Sequence, residues 1–184
     1  MSLGLYLHIP YCFSKCRYCD FYSHPGERGV PEAYVDALLR ELSRFAPEAP
    51  LQPDTLYFGG GTPSLLRPEQ AKRLIDAARP MPGAEITLEA NPETVTEESL
   101  AGFREAGVNR ISFGVQSARD TQLRTLGRPH TAKQARAAFA AARRAGFTNI
   151  SGDIMLALPH YTEAEFDETL ELIEGGGATH ISAY

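Results

Sequence analysis

The sequence predicts an α/β fold in which parallel strands alternate with helices, and three features of its 184 residues indicate this. Short runs rich in apolar, β-branched and aromatic residues recur along the chain, and each is followed by a segment with apolar residues at helical spacing. Turn-forming residues separate these segments, and polar residues gather where the runs end. Strict alternation favours a parallel sheet with right-handed crossovers, either an open doubly wound sheet or part of a barrel.

Six segments are predicted to be strands, each bounded by Gly, Pro or Asn. They are residues 3–9, 55–58, 85–90, 110–115, 150–156 and 180–183. Helices are predicted at residues 31–45, 68–78, 96–106, 131–145 and 163–174. Pro68 suits a first helical turn, and Thr96 opens the third helix with a capping signal. Gly107, Gly146 and Gly175 stand where the last three helices are expected to end.

The composition is that of an ordinary globular protein, and we treat residues 1–184 as one domain. The net charge of −5 argues against nucleic acid as the main partner, because binding to phosphates requires a basic face. The sequence has no secretory leader pattern and no apolar run of membrane-spanning length, so we expect a cytoplasmic protein. It stops at Tyr184, in or just after the sixth strand. We therefore expect a piece of a longer protein.

The cysteines of this chain lie close together in one short segment. Cys12, Cys16 and Cys19 fall within eight positions, and no other cysteine exists. An odd number of cysteines cannot form a closed disulfide set, whereas three thiolates in one loop can converge on a metal ion or an iron–sulfur cluster. A four-iron cluster held by three thiolates leaves one iron open to a small molecule. The alternative is a structural zinc site with His24 as the fourth ligand.

Further polar residues follow the predicted strands, at the edge where ligands bind in parallel α/β folds. They are Gly59-Gly60-Gly61-Thr62 after the second strand, Glu89 and Asn91 at the third, Gln116 and Ser117 at the fourth, and Asp153 in the fifth. Glycines let the backbone approach a ligand closely, and a carboxylate at such a place is costly to bury unless it is paired. The alternatives are a tight turn for the glycines and a solvated strand end for Glu89.

Taken together, these motifs resemble the radical S-adenosylmethionine (SAM) superfamily over essentially the whole chain. The cysteines have its C-x3-C-x2-C spacing, and Tyr18 is the aromatic residue before the third. Within the superfamily, the chain is similar to the branch of the oxygen-independent coproporphyrinogen III oxidases and the related heme chaperones. Six motifs carry this resemblance: Tyr6-Leu7-His8-Ile9-Pro10-Tyr11-Cys12, Phe58-Gly59-Gly60-Gly61-Thr62-Pro63-Ser64, Leu88-Glu89-Ala90-Asn91-Pro92-Glu93, Phe113-Gly114-Val115-Gln116-Ser117, Leu126-Gly127-Arg128 and Asp153-Ile154-Met155-Leu156-Ala157-Leu158-Pro159.

The resemblance implies an incomplete (β/α)6 barrel whose C-terminal domain is not in this chain. It implies that Cys12, Cys16 and Cys19 bind three irons of a [4Fe–4S] cluster, and that the amino and carboxylate groups of SAM bind the fourth. An electron from the cluster would then cleave SAM to methionine and a 5′-deoxyadenosyl radical. The implied contacts with SAM or the cluster are Tyr6, Tyr18, Gly60, Gly61, Thr62, Glu89, Gln116, Arg128 and Asp153. Core packing is the alternative for the two tyrosines, and a surface ion pair for Arg128.

Two features favour the heme chaperones over the oxidases. Phe21 stands two residues after Cys19, where the oxidases typically carry a further cysteine. The oxidases also have an extension before the first strand, whereas here that strand begins almost at Met1. The resemblance therefore implies a protein that binds heme and delivers it to a recipient protein, with an electron donor as a further partner. The alternative is an oxidase that decarboxylates two propionates of coproporphyrinogen III. Whether the protein is an enzyme, and whether it binds one or two SAM molecules, stays open.

Overall fold

The computed structural model describes residues 2–45, 52–158 and 160–184, so Pro159 of the last motif lies outside the described residues. Within these ranges the strands are β1 (Gly4–Ile9), β2 (Tyr11–Cys12), β3 (His24–Pro25), β4 (Thr55–Gly60), β5 (Glu85–Ala90), β6 (Arg110–Gln116), β7 (Asn149–Ile154) and β8 (His180–Ala183). Six of them form one parallel sheet in the order β1-β4-β5-β6-β7-β8, and β2 pairs with β3. The order never reverses, unlike that of a doubly wound sheet. The sheet is therefore an incomplete barrel, as the resemblance implied.

Helices follow the strands as predicted, with one addition. In the described part of the chain they are α1 (Glu32–Phe45), α2 (Pro68–Ala78), α3 (Glu97–Ala106), α4 (Asp120–Leu126), α5 (Ala132–Arg144) and α6 (Glu163–Gly175). Helix α4 was not predicted, because seven residues are too few to show helical periodicity. The strand predicted at 150–156 is wrong at its end, since β7 stops at Ile154. Met155 and Leu156 still donate backbone hydrogen bonds to Gln116 and Tyr184, but the regular strand ends before them.

Threonine caps explain where three helices begin. Thr96, Thr131 and Thr162 each accept a hydrogen bond from the backbone N–H three residues later, and each forms a reciprocal capping box. Helix α3 ends at Gly107, which adopts the left-handed conformation with φ 114°. These local signals fix the helix ends and so the lengths of the loops at the rim of the barrel.

The two faces of the sheet differ in polarity, because alternate strand residues point to opposite sides. One face packs against the helices and is apolar, as shown by the fully buried Ile9, Phe58, Leu88 and Phe113. The other face forms the interior of the incomplete barrel and carries polar residues. Parallel pairing aligns Glu89 with Ser112, Ser112 with Ser151, and Gly114 with Asp153. No helix of the described residues is both long and apolar enough to cross a bilayer.

Candidate metal and cofactor site

The structure brings the predicted site residues to one rim of the barrel, at the carboxyl ends of the strands. Cys12 lies in β2, Gly60 ends β4, Glu89 is the penultimate residue of β5, Gln116 ends β6 and Asp153 is the penultimate residue of β7. Tyr6 lies in the middle of β1, on the polar face with Tyr57 of β4 beside it. Neighbouring strand ends of a barrel converge on a single site. The grouping expected from the order of the motifs is therefore present.

The cysteine segment forms a loop that is closed by backbone hydrogen bonds. The N–H of Cys19 donates to the carbonyl of Cys16 at 3.2 Å, and the N–H of Glu27 donates to the carbonyl of Cys12 at 3.1 Å. The N–H of Arg17 donates to the carbonyl of Leu126, at the end of α4, at 3.0 Å. All three thiol-bearing residues are partly buried and none is in a disulfide. The loop is thus held against the barrel rim with its thiols available as ligands.

A chain of side-chain hydrogen bonds links two of the thiols to the strand ends. The Thr62 hydroxyl donates to Cys12 Sγ at 3.4 Å and accepts from Asn91 Nδ2 at 3.1 Å. Asn91 Oδ1 accepts from Arg128 Nη2 at 2.7 Å, and Arg128 Nη1 donates to Cys16 Sγ at 3.6 Å. Sequence reasoning gave Asn91 no role, although its place at a strand end was the available signal. It is the residue that joins Thr62 to Arg128.

The phenol of Tyr18 lies beside Arg128 and the thiols of Cys16 and Cys19. Although 37% of the residue is exposed, burial of the phenol raises its pKa to about 12, with Arg128 opposing and the two cysteines reinforcing the shift. Tyr18 therefore stays protonated at neutral pH. It can donate a hydrogen bond next to the thiols but brings no negative charge there.

Glycines at the end of β4 allow the cysteine loop to pack closely against the strand. A Cβ atom at Gly61 would lie 2.7 Å from the Tyr11 carbonyl oxygen and 3.0 Å from Cys12 Sγ. Gly60 has φ +116°, and a Cβ atom there would lie 2.6 Å from the His8 ring. Sequence reasoning expected these glycines to admit a ligand. The structure shows that Gly61 is already needed for the approach of the cysteine loop, and Gly60 for that of the His8 ring.

Two partly buried carboxylates face the barrel interior. Glu89 accepts hydrogen bonds from the Tyr57 hydroxyl at 2.8 Å and from the N–H of Gly60 at 3.2 Å. Asp153 accepts one from the Ser112 hydroxyl at 3.2 Å. Burial is the main cause that raises the pKa of both carboxyl groups above the usual value. Tyr57 was not among the predicted site residues, although the alternation of side chains along β4 places it on the polar face.

Gln116 has a backbone conformation that is uncommon for a residue with a side chain. Its φ is +66°, it lies at a register shift between β6 and β7, and it is buried. Such a conformation costs free energy unless the surroundings enforce it, and it is frequent at binding sites. This strain supports the prediction that Gln116 belongs to the site.

His8 orients the exposed Tyr6 toward the same rim. His8 Nε2 lies 3.0 Å from the carbonyl oxygen of Tyr22, and His8 Nδ1 lies 3.1 Å from the Tyr6 hydroxyl. A carbonyl oxygen only accepts, so Nε2 carries the proton and Nδ1 accepts from Tyr6. The strand β1 is thereby tied to the segment that follows the cysteines.

The three thiols and the polar atoms beside them are the donors that a metal centre could use. Among the described residues, no three His, Cys, Asp or Glu side chains are placed to share one metal ion. Three thiolates that bind one zinc ion would have their sulfur atoms roughly 3.8 Å apart. His24, the alternative zinc ligand, has its Nε2 3.1 Å from the Tyr22 hydroxyl. Beside the thiols, Arg128 has a buried Nε without a partner in the described structure. That N–H is a polar atom beside the thiols that a bound group could use.

Comparison with known proteins places these features in a family. The family model described as "Radical SAM superfamily" matches residues 6–173. A curated relative from Bacillus subtilis, named heme chaperone HemW, is 38% identical over 186 residues, which are 97% of this chain and 49% of the relative. The relative of the same name from Escherichia coli is 43% identical and covers 85% of this chain and 43% of its own length. The chain thus spans about half the length of the curated relatives it matches.

Solved structures show the same core. The coproporphyrinogen III oxidase HemN from Escherichia coli, described as a radical SAM enzyme, superposes on 100% of this chain with a TM-score of 0.87 and 30% identity, over 44% of its own length. Methylornithine synthase superposes with a TM-score of 0.68 at 14% identity. The second likeness shows the fold alone.

Proposed function

Because this chain belongs to the radical SAM superfamily, we propose that it forms the cluster- and SAM-binding core of a heme chaperone. Membership brings a [4Fe–4S] cluster and SAM as the cofactors, and the curated relatives place the chain in the branch of the heme chaperones and coproporphyrinogen III oxidases. The chain spans about half the length of those relatives, so the heme-related activity is proposed for the whole protein.

The proposed ligands of the cluster are Cys12, Cys16 and Cys19. Three observations support this assignment. The thiols lie in one closed loop, Arg128 places a positive charge 3.6 Å from Cys16 Sγ, and the Thr62 hydroxyl donates a hydrogen bond to Cys12 Sγ. Both contacts donate hydrogen bonds to sulfur atoms that are proposed as cluster ligands, and such bonds tune clusters of this kind. When bound, the cluster and SAM supply one-electron cleavage of a sulfonium bond.

The proposed SAM site is the polar rim beside the cysteine loop. We assign to it nine residues: Tyr6, Tyr18, Gly60, Gly61, Thr62, Glu89, Gln116, Arg128 and Asp153. The carboxylates of Glu89 and Asp153 can accept hydrogen bonds from a polar ligand, and Gln116 can both donate and accept. Burial is the main cause that raises the pKa of both carboxyl groups, so a cation bound beside them would favour their charged forms.

The observation that carries the chaperone proposal is the similarity to proteins of that name. The relatives called heme chaperone HemW are 38% and 43% identical to the chain, against 30% for the oxidase. Phe21 agrees with this, since it is exposed beside the cysteine loop at the position where the oxidases typically have a cysteine. The proposed partners of the whole protein are heme, a heme-recipient protein and an electron donor. The oxidase is the second candidate, favoured by the TM-score of 0.87 over the entire chain.

The cofactor proposal is tested by anaerobic iron–sulfur reconstitution of the full-length protein, followed by EPR of the reduced sample with and without SAM. A [4Fe–4S]+ signal that changes when SAM is added supports an open iron in the cysteine loop. Cys16→Ser serves as the matched variant, and we expect it to lose the cluster. Zinc in place of iron, with no effect of SAM, contradicts the proposal.

The heme proposal is tested separately on the same protein. Titration with hemin, followed by absorbance, should show saturable binding and transfer to an apo-heme protein. Anaerobic incubation with coproporphyrinogen III, reductant and SAM should leave its propionates intact. Decarboxylation without heme binding would replace the chaperone by the oxidase.

A further inference from the structure

A buried histidine, His130, lies behind the strand ends and has no part in the site described above. Its side chain is 0% exposed, and the side chain of its neighbour Glu93 is 9% exposed. His130 follows the site residue Arg128 by two positions and precedes α5. Glu93 lies in the 3-10 turn Pro92–Thr94, directly after β5. Both residues are thus attached to segments that carry site residues.

Hydrogen bonding restricts the protonation state of this pair. His130 Nε2 lies 3.1 Å from the carbonyl oxygen of Val115, so Nε2 must carry a proton. His130 Nδ1 lies 3.3 Å from Glu93 Oε2. Both of these atoms are buried and have no other partner in the described structure. Two lone pairs facing each other in a dry interior would be repulsive, so a proton lies between them.

The surroundings of Glu93 favour its charged form. Burial alone would raise the pKa of the Glu93 carboxyl group, but the contact with His130 and the charge of Arg128 outweigh it, and the pKa is lowered. The contact with His130 is therefore made by a charged carboxylate, and it joins the turn after β5 to the segment before α5.

We propose that His130 is a positioning residue, and that its hydrogen bond to the Val115 carbonyl and its contact with Glu93 fix the two strand ends that carry Gln116 and Asn91 at the rim of the SAM site. The inference rests on the SAM site proposed above and does not depend on heme binding. It assigns a role to a histidine for which the sequence motifs suggested none.

On the β6 side, the pair fixes the strained backbone before Gln116. Arg128 Nη2 donates to the carbonyl of Gly114 at 2.6 Å, and His130 donates to the next carbonyl, that of Val115. Two consecutive carbonyls are thereby held just before a residue with φ +66°. A left-handed conformation persists only where the surroundings enforce it. Loss of the His130 contact should let Gln116 relax away from the site.

On the β5 side, the pair fixes the turn that follows Asn91. Glu93 lies two residues beyond Asn91, whose amide joins Thr62 to Arg128. His130 Nδ1 lies 3.3 Å from the Glu93 carboxylate, and the charge of Arg128 also acts on that carboxylate. Removing His130 alone leaves a buried carboxylate without its closest partner, which is the unfavourable way to break a buried ion pair.

The first test is NMR of the full-length protein labelled with 15N-histidine, with the His130 signal assigned through His130→Gln. The proton on His130 Nε2 should give a protonated-type nitrogen signal and should exchange slowly with water, because it is buried against the Val115 carbonyl. Glu93→Gln should make that exchange faster, because the turn after β5 then loses its charged contact with His130. An Nε2 without a proton, or an exchange rate that Glu93→Gln leaves unchanged, would overturn the proposal. This readout needs neither SAM nor heme, so its failure is distinct from failure of the proposed function.

The second test is the SAM dissociation constant of the reconstituted protein. His130→Gln should weaken SAM binding by about 10- to 100-fold, as is usual when a partner behind a metal-site residue is lost, with the iron content unchanged. The double variant His130→Gln with Glu93→Gln should recover part of that loss, because it removes the unpaired carboxylate. His160→Asn, at an exposed loop position, is the matched control and should bind SAM normally. Unchanged affinity in His130→Gln, or a double variant no tighter than His130→Gln, would overturn the positioning role.

Discussion

Replacing Gly61 by alanine should separate the cysteine loop from the strand that supports it. The new Cβ atom would lie 2.7 and 2.9 Å from the backbone oxygen and nitrogen of Tyr11, and 3.0 Å from Cys12 Sγ. Two of these three neighbours are backbone atoms, which cannot rotate away as the end of a side chain can. The backbone on one side must therefore move.

The size of the effect follows from the distances. Carbon atoms in ordinary contact lie about 3.5 Å from their neighbours, so the loop must shift by roughly 0.8 Å. Such overpacking typically costs about 1–3 kcal/mol, and we expect the upper end of that range because the clash is with backbone. The shift also moves Cys12 relative to Thr62 and to the other thiols. Cluster loading should therefore fall together with stability.

The assay compares Gly61→Ala with Gly175→Ala in the full-length protein. Gly175 ends α6, and a Cβ atom there would have no neighbour within 4 Å. The free energy of unfolding in urea and the iron content after reconstitution are measured for both variants. Gly175→Ala should match the parent protein or be slightly more stable. Equal stability and iron content in the two variants would refute the packing argument.

Three further variants test the hydrogen bonds of the rim. Thr62→Val leaves Asn91 Nδ2 without the acceptor that it has in the described structure, so the free energy of unfolding should fall by about 1–3 kcal/mol in urea titrations. Arg128→Lys keeps the charge but loses the planar fork, and calorimetry should show SAM binding weakened about 10-fold or more. Glu89→Gln should weaken SAM binding yet stabilise the apo protein at pH 7, as urea titrations would show. Burial raises the Glu89 pKa, so the stability of the unaltered protein falls as pH rises through that pKa. A Glu89→Gln protein with a lower free energy of unfolding at pH 7 would contradict the expected stabilisation.

Much of the fold could be predicted from local sequence signals. The alternation of strand and helix, the Thr96 cap and the end of α3 at Gly107 each depend on residues close in sequence. The cysteine spacing and the polar residues at the strand ends likewise pointed to one rim. Sequential strand order could not be predicted from the alternation alone, because both barrels and doubly wound sheets produce it.

The remainder depends on contacts between distant residues. Asn91 acts by joining Thr62 to Arg128, residues that are 66 positions apart in the sequence. His130 acquires its partners Val115 and Glu93 only when the segment before α5 reaches the ends of β5 and β6. No periodicity or local motif records such a pairing. The short helix α4 was not predicted for a different reason, since its seven residues are too few to show a helical period.

The hydrogen bonds that hold the cysteine loop have a consequence for the order of events during synthesis of the protein. Arg17 and Cys16 are near the beginning of the chain, yet their partners Thr125 and Arg128 are 108 and 112 residues further on. A chain emerging from the ribosome therefore exposes its three thiols long before the residues that hold them in place have been made. Iron supplied early would meet a loosely held loop. We expect the cluster to be inserted late, after α4 and the segment following it have emerged.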